Sequence, residues 1–541
     1  MDVLPIDEFL PRIAALLAQH GTLVLTAQPG AGKTTRVPPG ILRAGILPAN
    51  APRIVVLQPR RIAAKAVATR IAEEQHWTMG REVGYQVRME KRIGQDTALR
   101  IMTEGILARQ LLDDPTLEKL GAVILDEFHE RSIHSDLTLA MLRQVRQTIR
   151  PDLLILIMSA TLDAQKVAAF LDGAPILDVP GRLFPVRTVY RHETDRRLEE
   201  RVISAVREAL NAENSGHILV FLPGLAEINR CAGAAKALAD AGNCRVLTLH
   251  GSMPLEAQIA VLKPSAQRKI IFATNIAETS LTIDGVTVVI DSGLVRQASF
   301  DAQRGIDRLD LIQISQASAN QRLGRAGRTA PGLCIRLWPE TQTRHLEDYE
   351  IPEILRVDLA QSVLMLYAWD RHGPRGFEFF QAPPMQRTDH AVKLLRELKA
   401  LEEITDGLRL TDIGRKLLEL PLHPRLGRLL LAAKENGNAA LGAVVAALVS
   451  ERDIITARSD RRDNSSGESD ILIRVLALVP GGGAMSSHAA GIETGGAHRV
   501  RAVAQDLGRL IGADVDLGMV QRNADAMTIG ELLLRAYPDR V

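Results

Sequence analysis

Residues 121 to 130 read Gly-Ala-Val-Ile-Leu-Asp-Glu-Phe-His-Glu, an apolar run too short for a helix that ends in two carboxylates and a histidine. A run of that length and composition is a strand buried on both faces. Its carboxy-terminal tip then carries a metal-binding acid, Asp126, with a base, Glu127, beside it. An earlier strand tip completes the pattern in Leu23-Val-Leu-Thr-Ala-Gln-Pro-Gly-Ala-Gly-Lys-Thr-Thr35, where a glycine-rich loop leads into a helix. Small residues at Gly30, Ala31 and Gly32 let successive backbone N–H groups curl around phosphate oxygens at a helix amino terminus. Lys33 supplies a compact positive charge and Thr34 a hydroxyl for magnesium, with Thr35 following in the same turn. The strict pattern G-x-x-x-x-G-K-[ST] departs at its first position, Ala27, a residue small enough to be tolerated. The two tips together predict a nucleoside-triphosphate site.

The chain has 541 residues, more than one hydrophobic core usually serves, so several domains are expected. A formal net charge of +2 means that binding to a polyanion must come from local arrangement rather than bulk charge. The cysteines Cys231, Cys244 and Cys334 are scattered, with neither a disulfide framework nor a zinc spacing. The amino terminus has no basic leader and no apolar run is long enough to span a membrane, so a soluble cytoplasmic protein without a membrane partner is expected. Aromatic residues are 3% of the chain, which argues against binding single strands through rows of stacking rings.

Short apolar runs recur at Leu23 to Ala27, Ile54 to Gln58, Leu99 to Met102, Val123 to Asp126 and Leu153 to Met158, with helix-like stretches between them. Alternation of this kind means a parallel sheet with crossover connections. The pattern restarts at Val186 to Tyr190, His217 to Leu222, Arg245 to Leu249, Lys269 to Ala273 and Thr287 to Ile290, with a helix at Leu225 to Ala241. Two similar α/β domains in tandem are therefore expected, joined near Pro180 to Pro185. Beyond about residue 345 the chain becomes helical and leucine-rich, as in Val357 to Leu366, Ala391 to Leu401 and Arg425 to Lys434. Leu408 to Gly414 reads as a short strand turning into a capped helix, the mark of a small winged-helix module. Polar and glycine-rich stretches at Ser459 to Asp470 and Gly481 to Gly496 predict mobile loops within a helical bundle. The expected domains are 1–181, 182–345, 346–424 and 425–541.

Nucleotide bound by one of two tandem domains calls for cations from the other. Gln321-Arg-Leu-Gly-Arg-Ala-Gly-Arg328 spaces Arg322, Arg325 and Arg328 three apart, so that on a helix they share one face. Gly324 and Gly327 would weaken a purely structural helix and allow close approach.

These strings resemble the DEAH/RHA group of superfamily 2 RNA helicases. The resemblance is carried by the phosphate loop, Gln58-Pro-Arg-Arg-Ile-Ala-Ala64, Thr103-Glu-Gly105, Asp126-Glu-Phe-His129, Ser159-Ala-Thr161, Phe221-Leu-Pro-Gly224, Leu249-His-Gly-Ser252, Thr274 to Ile283 and Gln321 to Arg328, in that order over roughly residues 20 to 340. Pro421-Leu-His-Pro-Arg425, Ser450-Glu-Arg-Asp453 and Tyr537-Pro-Asp-Arg540 are similar to the bacterial HrpB-type members. The resemblance implies two tandem RecA-like parallel-sheet domains, a winged-helix module and a helical bundle, and ATP hydrolysis with Mg²⁺ coupled to 3′-to-5′ movement on RNA.

Carried over by position, Lys33 holds the β- and γ-phosphates, Thr34 and Asp126 hold magnesium, and Glu127 activates the attacking water. Gln321 helps place that water, and Arg325 and Arg328 act as arginine fingers. His129, Ser159 and Thr161 link the nucleotide state to the nucleic-acid track. That track is implied at Arg60, Arg61, Thr103, Gly251, Ser252, Thr274 and Asn275, which match positions gripping the sugar-phosphate backbone without reading sequence. Arg70, grouped with these cations, also matches an arginine that pinches the nucleotide base against an aromatic ring. The opposing position here is Leu262, and no upstream adenine-reading glutamine motif is present, so other nucleoside triphosphates should be accepted. Phe128 stands where the family carries alanine and is expected only to pack.

The implied partners are single-stranded RNA or a duplex with a single-stranded overhang, in a ribonucleoprotein setting, with a protein activator left open. A DNA helicase and a non-catalytic RNA-binding scaffold are the alternatives. The family usually continues past the bundle into a small β-barrel that completes the RNA channel, whereas this sequence stops at Val541 after a helix-like stretch from Met527 to Ala536. Weaker RNA binding than in a longer form is the expectation.

Overall fold

The apolar runs of the first third of the chain become the interior strands of one sheet. In this computed structural model, which describes residues 3–540 apart from 29, 89, 161–162, 182–183, 193–195, 212–215, 279–282, 303, 456–468 and 480–492, the sheet has eight strands. They are β1 (Thr22–Ala27), β2 (Arg53–Gln58), β3 (Val83–Val87), β4 (Glu90–Arg92), β5 (Leu99–Thr103), β6 (Leu120–Leu125), β7 (Leu154–Ser159) and β8 (Ile176–Val179). Their spatial order is β4-β3-β5-β2-β6-β7-β1-β8, and all pair in parallel except the edge strand β4. Every position of β6 and β7 is buried, as expected of strands covered on both faces. The covering helices are α1 (Leu10–His20), α2 (Lys33–Ala44), α3 (Arg61–Gln75), α4 (Glu104–Asp113), α5 (Ile133–Thr148) and α6 (Ala164–Phe170). Ala27, Ser159 and Asp126 thus sit at the carboxy-terminal ends of the neighbouring strands β1, β7 and β6, the end of a parallel sheet where ligands bind.

The second sheet is six-stranded and parallel, in the order β11-β12-β10-β13-β16-β9. Its strands are β9 (Val186–Tyr190), β10 (His217–Phe221), β11 (Arg245–Leu249), β12 (Lys269–Ala273), β13 (Val286–Asp291) and β16 (Gly332–Arg336). Helices α7 (Leu198–Asn211), α8 (Leu225–Ala241), α9 (Leu255–Leu262) and α10 (Gln316–Gly324) accompany it. An antiparallel ribbon of β14 (Leu294–Asp301) and β15 (Ile306–Gln313) stands apart from the sheet, with Leu309 and Leu311 exposed. A short α11 (Glu340–Thr343) follows β16. Both sheets belong to one compact unit, Met1–Val357 together with Glu378–Ala382.

The other unit comprises Asp358–Phe377 and Pro383–Val541. Its first part holds α12 (Ala360–Trp369), α13 (Met385–Glu397), the two-stranded sheet β17 (Leu401–Ile404) with β18 (Gly407–Leu410), and α14 (Asp412–Glu419). The hydroxyl of Thr411 accepts from the backbone N–H of Gly414 at 3.0 Å, which fixes where α14 begins. The rest is helical: α15 (Pro424–Glu435), α16 (Ala439–Ser450), α17 (Asp470–Leu478), α18 (Thr494–Leu510), α19 (Leu517–Asn523) and α20 (Ala526–Ala536). Apolar on nearly all sides, α16 is the central helix of that core. The strings at 421–425 and 537–540 meet here. Arg425 donates to both carboxylate oxygens of Asp539, at 2.5 and 2.7 Å, and lies over the ring of Tyr537. Asp453 accepts two bonds from Arg474 in the same way.

The expected helix at Leu225 to Ala241 is observed with those bounds. The helix expected at Ala391 to Leu401 instead runs Met385–Glu397, because Pro384 starts it and Lys399 adopts a left-handed φ of 61° that ends the run before β17. The expected loops lie outside the described residues except at their ends. Ser469 and Asp470 cap and open α17 there, and Thr494 to Gly496 form the first turn of α18.

Candidate nucleotide site and nucleic-acid track

The phosphate loop departs from the strict pattern without loss. Ala27 is the last residue of β1 and buried, where no unusual backbone angle is required. The left-handed angles fall on Gly30 (φ 88°) and Gly32 (φ 90°), where only glycine is unstrained. A Cβ on Gly32 would also stand 2.6 Å from the Leu4 side chain, part of an amino-terminal turn whose Ile6 N–H donates to the carbonyl of Ala31 at 3.1 Å. Gly32 caps α2, so Lys33, Thr34 and Thr35 occupy its first turn, where backbone N–H groups await an anion.

Across from the loop, Thr34 Oγ1 and Gln58 Nε2 donate to Asp126 Oδ2 at 2.6 and 2.7 Å. Lys33 Nζ lies 3.1 Å from Glu127 Oε2, and both side chains are nearly buried. Burial and repulsion from Glu127 push the Asp126 carboxyl up. Burial also opposes charge on Glu127, but Lys33, His129 and Arg325 outweigh it and hold that carboxyl below its ordinary range. The hard oxygen donors Asp126 and Thr34 suit magnesium, which takes one or two carboxylates together with substrate phosphates. When bound there, such an ion would offset negative charge on phosphate oxygens. The bond from Gln58 keeps the Asp126 carboxylate aimed toward Thr34.

The acid turn is strained. Glu127 (φ 52°) and Arg131 (φ 46°), both non-glycine and left-handed, flank a single 3-10 turn, Phe128–Glu130. Each such residue costs about 1–3 kcal/mol and persists only where its surroundings over-determine it. His129, almost fully buried and pushed toward its neutral form by that burial, has Nδ1 3.3 Å from Ser159 Oγ and 3.6 Å from Glu127 Oε2. Two of the three expected coupling residues therefore meet. Thr161 lies outside the described residues.

From the second domain, α10 brings Gln321, which is buried, and ends at Gly324. The three arginines therefore do not share one helical face. Arg322 turns inward, fully buried over the Phe221 ring, with Nε 2.8 Å from Glu278 and Nη1 2.8 Å from Asp291. Arg325, just past the helix end, donates from Nε to the Glu278 carbonyl at 3.0 Å. Burial drives its pKa far down, followed by the neighbouring Arg328, while Glu127 raises it. Arg328 is likewise lowered to about 10 by burial, again opposed by Glu127. Both candidate fingers thus lie in the electrostatic field of the Glu127 carboxylate. Gly327 allows the expected close approach, since a Cβ there would stand 2.6 Å from the Phe184 carbonyl; Gly324 faces open space. Sequence reasoning missed Glu278, Asp291 and Gln58 as positioning residues, although Glu278 and Gln58 lie in strings it had singled out.

The track residues collect at strand ends. Arg60 and Arg61 follow β2, Thr103 ends the adjacent β5, Gly251 and Ser252 follow β11, and Thr274 and Asn275 follow the adjacent β12. Arg61, Gly251, Ser252 and Asn275 are exposed. Arg60 reaches between the two domains, donating to the Asn275 carbonyl at 2.9 Å and pairing with Glu130 at 3.2 Å. Arg70 stands apart, further along α3, mostly exposed and bonded to Glu74 at 2.6 Å. Leu262 ends α9 and packs on the core of the second domain.

A phosphate loop and acid pair on one RecA-like sheet, with arginines brought from a second, make up the candidate site. Residues 11–170 match the DEAD/DEAH box helicase model and residues 201–330 the helicase conserved C-terminal domain model. The chain is 40% identical over 456 residues to the ATP-dependent RNA helicase HrpB of Escherichia coli, an alignment covering 83% of this chain and 55% of that protein. It is 38% identical over 441 residues to an ATP-dependent RNA helicase HrpA homolog of Haemophilus influenzae, covering 80% of this chain and 34% of the relative. The crystal structure of Escherichia coli DEAH/RHA helicase HrpB superposes with a TM-score of 0.80 at 34% identity, over 99% of this chain and 64% of the other. The chain belongs to the DEAD/DEAH-box helicases, of the DEAH/RHA type, and spans about half the length of the first of these curated relatives. Among the described residues no helix is long and apolar enough to cross a membrane.

Proposed function

We propose that this chain is the motor of an ATP-dependent RNA helicase that hydrolyses ATP with magnesium, accepts other nucleoside triphosphates, and moves 3′ to 5′ on single-stranded RNA. The observation that carries the reading is the convergence on Glu127 of Lys33 from its own domain and Arg325 and Arg328 from the other. Preorganised cations at a developing phosphoryl charge are the main catalytic resource of such sites. The track at the ends of β2, β5, β11 and β12 offers hydroxyls, backbone groups and arginines, which suit a sugar-phosphate backbone rather than base edges. Residues 1–181 and 182–345 act as the two motor domains, 346–424 as a winged-helix module and 425–541 as a helical bundle.

The test is ATP turnover without polymer, with single-stranded RNA and with single-stranded DNA of equal length, followed by displacement from duplexes with 3′ or 5′ overhangs. RNA should raise turnover and only the 3′ overhang should support displacement. Equal stimulation by DNA favours a DNA helicase. Absence of turnover under every condition leaves only an RNA-binding scaffold.

A further inference from the structure

Phe128 is fully buried, and its surroundings come from far along the chain. Its ring centroid lies 5.8 Å from that of Phe380, which in turn stands 5.2 Å from Phe170. Phe380 belongs to Glu378–Ala382, five residues that join the two-sheet unit although the chain on both sides belongs to the other unit. This strap is tied down at a second point by Arg143, whose Nη1 lies 2.6 Å from Glu378. The guanidinium of Arg131 sits 4.4 Å from the Phe380 ring centroid while bonding both oxygens of Asp136 at 2.8 Å. Phe380 therefore covers both ends of the strained turn: Phe128, which follows Glu127, and Arg131, the second left-handed residue. A backbone held in such a conformation reverts when the packing that over-determines it is removed.

We propose that Phe380 is a positioning residue for ATP hydrolysis, acting through Phe128 and Arg131 to hold the Glu127 carboxylate in its place beside Lys33. The inference rests on the role given to Glu127 above. It makes a segment outside both motor sheets part of the machinery that sets the rate of the chemical step. Nucleotide binding, which depends on the loop at Gly30 to Thr35, does not pass through Phe380.

The experiment compares steady-state ATP turnover and binding of a fluorescent ADP analogue in full-length F380A, F380L, F128A, F128A/F380A and E127Q. F380A should lower kcat about tenfold with KM for ATP and ADP affinity within about twofold, because misplacing a reacting group costs rate before affinity. F380L should restore most of kcat by refilling the space. The double variant should lose no more than the worse single one, as expected of groups acting on one turn. E127Q should lower kcat by at least about 10². Near-normal turnover in E127Q removes the reading of Glu127 itself. With E127Q inactive, three results overturn the strap's role alone: F380A turnover within twofold of the parent, parallel changes in kcat and KM, or additive losses in the double variant.

Discussion

Replacing Arg322 with Met tests the division between a structural arginine and two catalytic ones. The side chain is 1% exposed and bridges two carboxylates of the same domain, Glu278 at 8% and Asp291 at 0% exposure, each at 2.8 Å. Met keeps much of the length and apolar contact over Phe221 but removes the charge that bonds both acids. Removing one partner of a buried ionic group costs about 3–5 kcal/mol, mostly as uncompensated charge left behind. At about 1.4 kcal/mol per tenfold, protection of the amides of Val288, Val289 and Ile290 in β13 should fall by about 10² to 10⁴ in native-state hydrogen exchange. Exchange of β6 in the other sheet should change little, since domains open as separate units. Arg322→Lys should lie between, because an ammonium cannot reproduce the planar fork that reaches two carboxylates. Protection in β13 within threefold of the parent would refute the structural assignment and return Arg322 to the nucleotide site.

Arg325→Lys and Arg328→Lys should each lower kcat for ATP by at least about 10² while leaving β13 exchange unchanged, since a finger's contribution reaches about 10³–10⁵ and depends on the guanidinium fork. A melting-temperature loss without a kcat loss would reassign them. Glu104, driven up from 4.5 to about 8 by burial against the bond from Ser132, is protonated in the folded protein where the unfolded chain is charged. The stability tied to that proton is complete below about pH 4.3 and lost as pH rises to about 8. Glu104→Gln should therefore gain on the parent across that window, by at most about 5 kcal/mol, and level off above it. A constant difference from pH 5 to 8 would sink this assignment. GTP, CTP and UTP should be hydrolysed within about tenfold of ATP, about 1.4 kcal/mol. Arg70 is engaged with Glu74 and Leu262 is committed to its core, so a hundredfold preference for ATP would reveal another base contact.

What was legible in the sequence follows burial. The interior strands β2, β6, β7, β10 and β12 are buried on both faces and read as unbroken apolar runs. Several strands that escaped notice are of other kinds, although β16, short and opened by a glycine, escaped as well despite being buried throughout. Edge strand β4 is Glu-Lys-Arg, and β15 alternates charge with leucine on a ribbon that packs little of itself. The phosphate loop, acid pair and strand-end track were legible because each needs particular residue types at a strand tip. Arg322 was misplaced because spacing gives a helical face only while the helix lasts, and α10 stops at Gly324. Glu278 and Asp291 could have warned of this, being the acids that a buried arginine requires. Phe380 left no local signal, since its meaning depends on a ring brought close only by the fold.

The strap also sets an order of events during synthesis. β6, β7 and α6 are complete once residue 170 has been made, yet the turn that follows β6 gains its last packing partner only when residue 380 emerges. At about 5–20 residues per second that interval is roughly 10–40 s. Throughout it the first domain carries Phe128 and Phe170 without their partner, an apolar spot beside the acid turn. Nascent chains stalled between those points should thus be cleaved by protease near the acid turn more readily than chains stalled beyond Ala382.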